Sequence, residues 1–197
     1  MASDVSICNT AIMRVGGSQL ISALTETSVA AQACNLAFEH SRLRTLTAAH
    51  WPFATKFYTG ELVEANPVTE WAYAYRYPSD CLKIRRIVSG LGFSEAPHLP
   101  YKIGRDSSGK LIYTNQSDAE FEYTMNVTDT GQFTEDFASA MAWLIAHEIA
   151  PSQSRIKDMA DYCFRMFQTE CSVAVSNALS EEERGPQPDA EAILARQ

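Results

Sequence analysis

The sequence predicts a mainly α protein with a β insert, in the α+β class. Near both ends of the chain, apolar residues recur at three- and four-residue steps, which is the spacing of an amphipathic helix. Between them the period changes to two and aromatic residues alternate, which is typical of strands with one buried face. We expect a four-helix bundle with an inserted antiparallel β-sheet or hairpin domain that projects from one end, and an extended C-terminal arm.

The change of pattern divides the 197-residue chain into four parts. Residues 1–52 and 129–180 form the two helical parts, residues 53–128 form the β insert, and residues 181–197 form the arm. The arm is rich in charge and proline, and such a composition cannot build a packed core. A chain of this length can bury a full core without the arm.

The first helix is predicted from an apolar stripe formed by Val5, Cys8, Ala11, Ile12 and Val15. Ser3 or Asp4 can cap its first turn with a side-chain oxygen. Gly16 and Gly17 end it, because glycine accepts the left-handed conformation that a helix end favours.

The second helix is predicted to follow a cap at Thr25 or Thr27. It should stop near His50, since Pro52 disfavours helical geometry at the residue before it. Its expected apolar face consists of Ala30, Ala33, Cys34, Ala37, Phe38, Leu43 and Leu46.

The β insert is predicted to contain five strands. The clearest alternation is that of Trp71, Tyr73, Tyr75 and Tyr77. Further strands are expected at residues 82–88 and 121–127, and a β-hairpin at residues 101–113 with its turn at Asp106-Ser107-Ser108-Gly109.

Two helices are predicted after the insert. Thr134 or Thr130 can cap the first of them, which Pro151 should end, and Ser154 should open the second. The second carries apolar residues at helical spacing from Ile156 to Val175.

The charge balance argues against a nucleic-acid reader. The chain has 16 Lys and Arg against 24 Asp and Glu, for a net charge of −8. Affinity for DNA comes largely from cations that neutralise phosphates. The one short basic cluster, Lys83, Arg85 and Arg86, is interpreted as a solvated strand face.

The cysteines do not form a recognisable framework. They are odd in number and widely spaced, without a CxxC pair, at Cys8, Cys34, Cys81, Cys163 and Cys171. A disulfide scaffold or a zinc site would need pairing or closer spacing. We therefore expect Cys8, Cys34 and Cys163 to be small buried hydrophobes in a reducing cytosol.

No catalytic motif is complete, and we expect no enzyme activity and no cofactor or metal. His147-Glu148 begins like the zincin motif HExxH, but Pro151 occupies the place of the second histidine. Gly90-Leu91-Gly92 lacks the third glycine and the helix of a dinucleotide site. The strip Trp71-Tyr73-Tyr75 could stack a sugar or a base, although a sheet core or a subunit interface is the commoner use of such a strip.

The chain contains no run of about 18 uncharged apolar residues, so no membrane-spanning helix is expected. Its first residues, Met1-Ala2-Ser3-Asp4, hold an early acid and lack the features of a secretory signal.

Several segments resemble, in order and spacing, the tail tubular protein A family, the head-to-tail adaptors of short-tailed bacteriophages. The resemblance covers nearly the whole chain. Its segments are Ile7-Cys8-Asn9-Thr10-Ala11, Val15-Gly16-Gly17, Ile21-Ser22-Ala23-Leu24, Ala33-Cys34-Asn35, Ser41-Arg42-Leu43-Arg44, His50-Trp51-Pro52-Phe53-Ala54, Trp71-Ala72-Tyr73-Ala74-Tyr75, Tyr77-Pro78-Ser79-Asp80-Cys81-Leu82-Lys83-Ile84, Ala142-Trp143-Leu144-Ile145-Ala146 and Pro151-Ser152-Gln153-Ser154.

The resemblance implies a structural protein of the virion neck, made in the host cytoplasm. Its partners would be the portal protein, a tail nozzle protein similar to tubular protein B, and further copies in a ring of twelve. Genomic DNA would pass through the ring without specific binding, and no membrane would be involved. An acidic channel lining would let DNA slide, because it does not grip phosphates.

Two surfaces are predicted to carry these contacts. The arm is expected to bind the portal, through Glu181, Arg184, Ile193, Leu194 and Arg196. The hairpin turn is expected to face the tail, through Asp106, Ser107, Ser108 and Lys110.

Two alternative functions remain open at this point. One is a connector or stopper protein of a long-tailed phage, which symmetry and neighbouring proteins would distinguish. The other is a tail-borne glycan hydrolase using two carboxylates, which the Trp/Tyr strip could favour.

Overall fold

The structure is a computed structural model that describes residues 2–88 and 99–181, with the backbone alone for residues 178–181. Within these residues the chain forms four α helices and seven strands, which confirms the predicted α+β class. None of the described helices is both long enough and apolar enough to span a membrane. The elements are α1 (Asp4–Arg14), α2 (Val29–Ala48), β1 (Thr55–Thr59), β2 (Leu62–Val68), β3 (Trp71–Arg76), β4 (Cys81–Ile87), β5 (Tyr101–Asp106), β6 (Gly109–Thr114), β7 (Glu120–Met125), α3 (Glu135–Gln153) and α4 (Met159–Glu181).

Helix α1 begins and ends where the sequence predicted. The Ser3 and Ser6 side chains each accept the other residue's backbone N–H, which is a capping box. After Arg14 the chain turns at Gly16, whose φ of +83° is left-handed.

Helix α2 begins later than predicted, and the caps proposed at Thr25 and Thr27 are wrong. Ser28 is the N-cap, and its hydroxyl accepts the N–H of Ala31 at 3.2 Å. The Glu26 carboxylate accepts the N–H groups of Ser22 and Ala23 at 2.6 and 3.0 Å. These two hydrogen bonds hold residues 22–26 in a turn, which competes with helix formation there.

Two predicted boundaries near α3 and α4 are also wrong. Helix α3, capped by Thr134 as predicted, continues through Pro151 for two more residues. Only two helical residues follow Pro151, so the lost N–H and the ring's crowding of the preceding turn disturb little of the helix. Ser154 does not open α4. Its hydroxyl instead accepts the N–H of Ile156, and the left-handed Asp158, with φ of +66°, delays the helix until Met159.

Helix α3 is the centre of the helical layer and packs against each of the other three helices. Its buried face meets aromatic residues from the α2–β1 connection: the Trp51 and Phe137 rings pack edge to face at 5.0 Å. The five cysteines are all buried and unpaired, as the sequence predicted for three of them. Cys8 and Cys34 contact each other between α1 and α2, and that contact together with burial raises the pKa of Cys8.

The β insert is two antiparallel sheets, ordered β1-β7-β4 and β2-β3-β6-β5. All five predicted strands are present, whereas β1 and β2 were not predicted. Almost every residue of β2 is exposed, so its sequence lacks the alternation that reveals a half-buried strand. The facing sides of the two sheets enclose a second core, formed by Tyr75, Cys81, Ile84, Ile87, Ile112, Ala119, Phe121 and Tyr123.

The other face of the three-stranded sheet contacts the end of α2 through polar groups, and we call this contact the junction. The Arg85 guanidinium donates to the Leu46 and Ala49 carbonyls at the helix end, and to the Thr124 hydroxyl at 2.7 Å. Arg86 pairs with the buried Glu122 at 2.5 Å. The interpretation of Lys83, Arg85 and Arg86 as a solvated face is therefore wrong for the two arginines, because they satisfy buried acceptors at the junction. Lys83 alone is exposed.

Candidate functional site

The β5–β6 turn is a tight connection that the Asp106 side chain organises. Asp106 Oδ1 accepts the backbone N–H groups of Ser108 at 2.8 Å and Gly109 at 2.7 Å. The same carboxylate accepts two hydrogen bonds of 3.0 Å from the Arg76 guanidinium. Since Arg76 belongs to β3, this bidentate pair clamps the turn to a strand beyond its own hairpin.

The four residues predicted to face the tail therefore lie together but in two environments. Ser107, Ser108 and Lys110 are exposed, whereas Asp106 is half-buried and engaged. The Lys110 ammonium lies 5.2 Å from the centre of the Tyr77 ring, within the range of a cation–π contact. The turn thus presents a short polar surface on a rigid support.

A cleft of about 670 Å³ opens beside this turn. The turn contributes Ser108 and Lys110 to one side. On the other side, Asp80 accepts hydrogen bonds from Lys56 Nζ and from the Tyr123 hydroxyl, both at 2.9 Å. Three charged residues of its lining, Lys56, Asp80 and Arg76, are therefore already paired.

The pKa shifts in the cleft keep these groups in one charge state near neutral pH. Hydrogen bonds from the Arg76 guanidinium and from the turn backbone lower the pKa of Asp106 to about 2. Partial burial acts to raise the pKa of Asp80, but the hydrogen bonds from Lys56 and Tyr123 outweigh it and lower that pKa.

The partners of Asp80 are shifted in the opposite direction. Its hydrogen bond raises the pKa of Lys56. Burial, followed by the hydrogen bond to Asp80, raises the pKa of Tyr123 to about 12. A general acid or base works best with a pKa near the working pH. The shifts move the pKa values of these four groups further from neutral pH.

A second cleft of about 610 Å³ lies at the first turn of α2, opposite the end of that helix that contacts the sheets. It is lined by Val15, by Val29 in the first turn of α2, and by Ile156 after α3. Val29 is 67% exposed and Ile156 is 61% exposed. Polar residues such as Gln19 and Arg155 also line it. A helix of 20 residues is ~30 Å long, so about that distance separates this cleft from the junction with the sheets.

Sequence reasoning missed the buried charges of the junction. Arg42 is 2% exposed and donates to Asn126 Oδ1 at 2.7 Å and to the Val127 carbonyl. His50 lies 3.6 Å from the Glu122 carboxylate. A signal for Arg42 was present, because it stands four residues before Leu46, on the apolar stripe of α2.

The aromatic strip of β3 is mostly interior. Tyr75 is buried, packs edge to face on Phe121 at 5.6 Å, and donates its hydroxyl hydrogen to the Gln116 carbonyl. Trp71 and Tyr73 are half-buried. The strip therefore serves the sheet core, the commoner use expected from the sequence.

The incomplete zincin motif has a structural environment. His147 is half-buried, with Nδ1 2.9 Å from the Ala160 carbonyl, and Glu148 is exposed and pairs with Arg44 at 3.7 Å. Across the part of the chain that the structure describes, no three His, Cys, Asp or Glu side chains are grouped to hold a metal ion.

The predicted arm lies outside the described residues, apart from the backbone of Glu181 at the end of α4. Arg184, Ile193, Leu194 and Arg196 thus stay predictions. Asn177 near the end of α4 donates to Asp136 in the first turn of α3 at 3.2 Å. The described chain therefore ends beside the start of α3, near Trp51 and the junction with the sheets.

No family model matches this chain, and no curated protein matches it. The functional interpretation therefore depends on the residues and on the geometry of the two clefts and the junction.

Proposed function

We propose that this chain is a structural virion protein, a head-to-tail adaptor of a short-tailed bacteriophage. Its copies form a ring of twelve that joins the portal to the tail nozzle and continues the DNA channel. The order of the segments from Ile7 to Ser154 that resemble the tail tubular protein A family is the starting point for this proposal.

The observation that supports it best is the division of the molecule into two separately cored layers. The helical layer and the paired sheets each enclose their own apolar core. Arg85 donates to the Leu46 and Ala49 carbonyls at the end of α2, and Glu122 lies 3.6 Å from His50, so polar contacts join the layers. A protein built in this way offers separate surfaces to two partners, which is what an adaptor requires.

The surfaces differ in chemistry as well as in place. The cleft at the hairpin turn is lined by five charged residues, Lys56, Glu61, Arg76, Asp80 and Lys110, whereas the cleft beside Val29 and Ile156 is lined by one, Arg155. Val29 and Ile156 are both exposed, and exposed apolar side chains that form a contiguous patch mark interaction surfaces. The pKa shifts of Asp80 and Tyr123 in the charged cleft lead away from neutral pH, which does not suit proton transfer.

In the finer form of the proposal, the helices act as a four-helix bundle and residues 181–197 form an arm that binds the portal. The hairpin turn from Asp106 to Lys110 faces the nozzle. The net charge of −8 lets DNA pass without being held, since few cations are available to neutralise phosphates.

Truncation tests the arm directly. A chain ending at Ser180 is compared with the full chain for co-sedimentation with portal rings of the same phage. We expect the truncated chain to keep its thermal unfolding midpoint and to lose portal attachment, because residues before the arm already form both described cores.

Lys110→Glu in the hairpin turn is the matched control, and it should co-sediment with the portal as the full chain does. A truncated chain that still co-sediments would contradict the role of the arm. A full-length chain that never co-sediments with the portal would contradict the adaptor function itself.

A further inference from the structure

The sheet β2-β3-β6-β5 ends on two edges of opposite charge. Along the chain that the structure describes, β2 and β5 are its outer strands. The β2 edge, residues 61–70, contains three exposed glutamates and no Lys or Arg. The β5 edge exposes Lys102 and Arg105, while the one acid of that strand, Asp106, is paired with Arg76.

Four charged side chains of the two edges form no ion pair with any residue that the structure describes. Among the described residues, Glu64, Glu70, Lys102 and Arg105 take part in none of the ion pairs. Like charges directly opposite each other destabilise a strand pair, whereas opposite charges stabilise it. Two β2 edges or two β5 edges would therefore repel, and a β2 edge and a β5 edge would attract.

An apolar row crosses the same sheet from edge to edge. In the strand register, Ile103 lies beside Ile112, Ile112 beside Tyr75, and Tyr75 beside Leu62. The two middle residues are buried, whereas Ile103 is 43% exposed and Leu62 is 52% exposed. The four-stranded sheet thus leaves one apolar residue uncovered at each end of a buried row.

We propose that the β5 edge of one copy pairs with the β2 edge of the next copy, which continues the sheet from subunit to subunit. This inference rests on the proposed ring and names the surface that builds it. β2 and β5 run in opposite directions, because each neighbouring pair in the sheet is antiparallel. The new pair is therefore antiparallel as well.

The register of the sheet also places complementary groups opposite each other. Across the four strands, Ile103 on β5 aligns with Leu62 on β2. Lys102 on β5 aligns in the same way, through Tyr113 and Ala74, with Glu64 on β2. The β2–β3 pairing skips Val63, an irregularity of the β-bulge kind between Leu62 and Glu64. A continuation that keeps this bulge sets Ile103 against Leu62 and Lys102 against Glu64 of the next copy. Such a contact is head to tail, and its repetition closes a ring when the rotation per copy allows it.

The contact is limited to one end of β2. Asn66 has a left-handed φ of +53° and Pro67 lacks a backbone N–H, so the regular part of the strand ends at Ala65. A pairing of about four residues buries far less than a standard interface of ~1,600 Å². We therefore expect weak association in solution that strengthens when a partner gathers several copies.

Disulfide trapping tests this pairing with full-length chains. Leu62→Cys and Ile103→Cys are made separately, and the five native cysteines stay in place because all are buried. Opposed residues on neighbouring strands have Cβ atoms ~5 Å apart, which lets a disulfide form with a small adjustment. Mixing the two variants under a mild oxidant should give a linked dimer on a non-reducing gel, while each variant alone stays monomeric.

The control mixture combines Leu62→Cys with Val173→Cys, an exposed position on α4. A linked dimer from the Leu62→Cys and Ile103→Cys mixture that exceeds this control supports the proposal. Equal yields in the two mixtures overturn it. A dimer formed by Leu62→Cys alone also overturns it, since that product requires two β2 edges to meet.

Charge reversal tests the proposed pairing of Lys102 with Glu64 of the next copy. Glu64→Lys in the Leu62→Cys chain should lower the yield of linked dimer by about fivefold, the effect of one cross-strand charge pair. Adding Lys102→Glu to the Ile103→Cys chain should restore it, because the opposite charges face each other again. Lys157→Glu, an exposed change on the α3–α4 connection, should leave the yield unchanged. Failure of the restoration overturns the register.

The portal assay separates this inference from the proposed function. If Leu62→Asp and Ile103→Asp chains still form complete rings on the portal, the sheet pairing is wrong and the adaptor function stands. If trapping succeeds but the unmodified chain never binds the portal, the pairing stands and the adaptor function is wrong.

Discussion

Arg42 connects the second helix to the chain that leaves the sheets. Its guanidinium donates to both oxygens of Glu39, at 3.0 and 2.7 Å, to Asn126 and to the Val127 carbonyl. Glu39 is exposed and the Val127 carbonyl is buried, so the Arg42 guanidinium connects the surface to the interior. The planar fork of arginine fits this set of acceptors, which a lysine could not satisfy at once.

Replacement of Arg42 by alanine should destabilise the protein by about 3 kcal/mol, because it leaves the buried Val127 carbonyl without a donor. Urea unfolding followed by circular dichroism measures this loss. Arg155→Ala, at an exposed arginine, is the control and should change the free energy of unfolding by less than ~0.5 kcal/mol. Equal losses in the two variants would contradict the role assigned to Arg42.

At the residue scale, two of the four predicted helix caps were right and the buried charges were missed. Ser3 and Thr134, each one of two candidates, are caps, whereas Thr25 or Thr27 and Ser154 are not. Arg42 and Glu122 were missed, since a charged residue is assumed to be exposed until its partners in three dimensions are known. The partner atoms of Arg42 at Asn126 and Val127 are more than 80 residues away in the sequence.

At the element scale, the ion pair of Arg76 and Asp106 fixes the β5–β6 hairpin against β3. The carboxylate also holds the turn backbone through Ser108 and Gly109. The hairpin therefore carries both the turn proposed to face the tail and the β5 edge proposed to meet the next copy. Its rigidity matters for both contacts.

Acid should weaken this clamp in a defined range of pH. The pKa of Asp106 is lowered to about 2 in the folded protein, against ~3.9 for an unfolded chain. The stabilisation is therefore fully present above pH ~4 and is lost as the pH falls towards 2. We expect the melting temperature of the native protein to fall more steeply than that of Asp106→Asn between pH 5 and 2.

Asp161→Asn, an exposed change on α4, is the control for the general effect of removing a carboxylate. It should follow the native slope. If Asp106→Asn also follows the native slope, the clamp does not contribute to folding stability in this range.

The strands show where prediction by element succeeds and where it fails. β3 and β7 were predicted because aromatic residues occupy every second position, which is visible in the sequence, although Phe121 to Thr124 of β7 are buried on both sides. β1 and β2 are edge strands with few buried residues, so no pattern marks them. Pro151 was predicted to end α3 because proline breaks the interior of a helix. In the structure it lies in the last turn, a position that the sequence did not reveal.

At the scale of the whole molecule, the α+β class followed from the change of period along the chain. The pairing of two sheets and the polar junction did not, since both depend on contacts between residues far apart in the sequence. The predicted hairpin turn is present, and its contact with the tail stays a prediction. The cleft at Val29 and Ile156 was not predicted, because its three contributing segments lie at the ends of different helices.

Electron microscopy of the full chain mixed with portal rings tests the central proposal most directly. We expect class averages with an added ring of twelve copies of the 21.8 kDa chain beneath each portal, with neighbouring copies in lateral contact. Portal particles that remain bare in the presence of excess folded chain would contradict it.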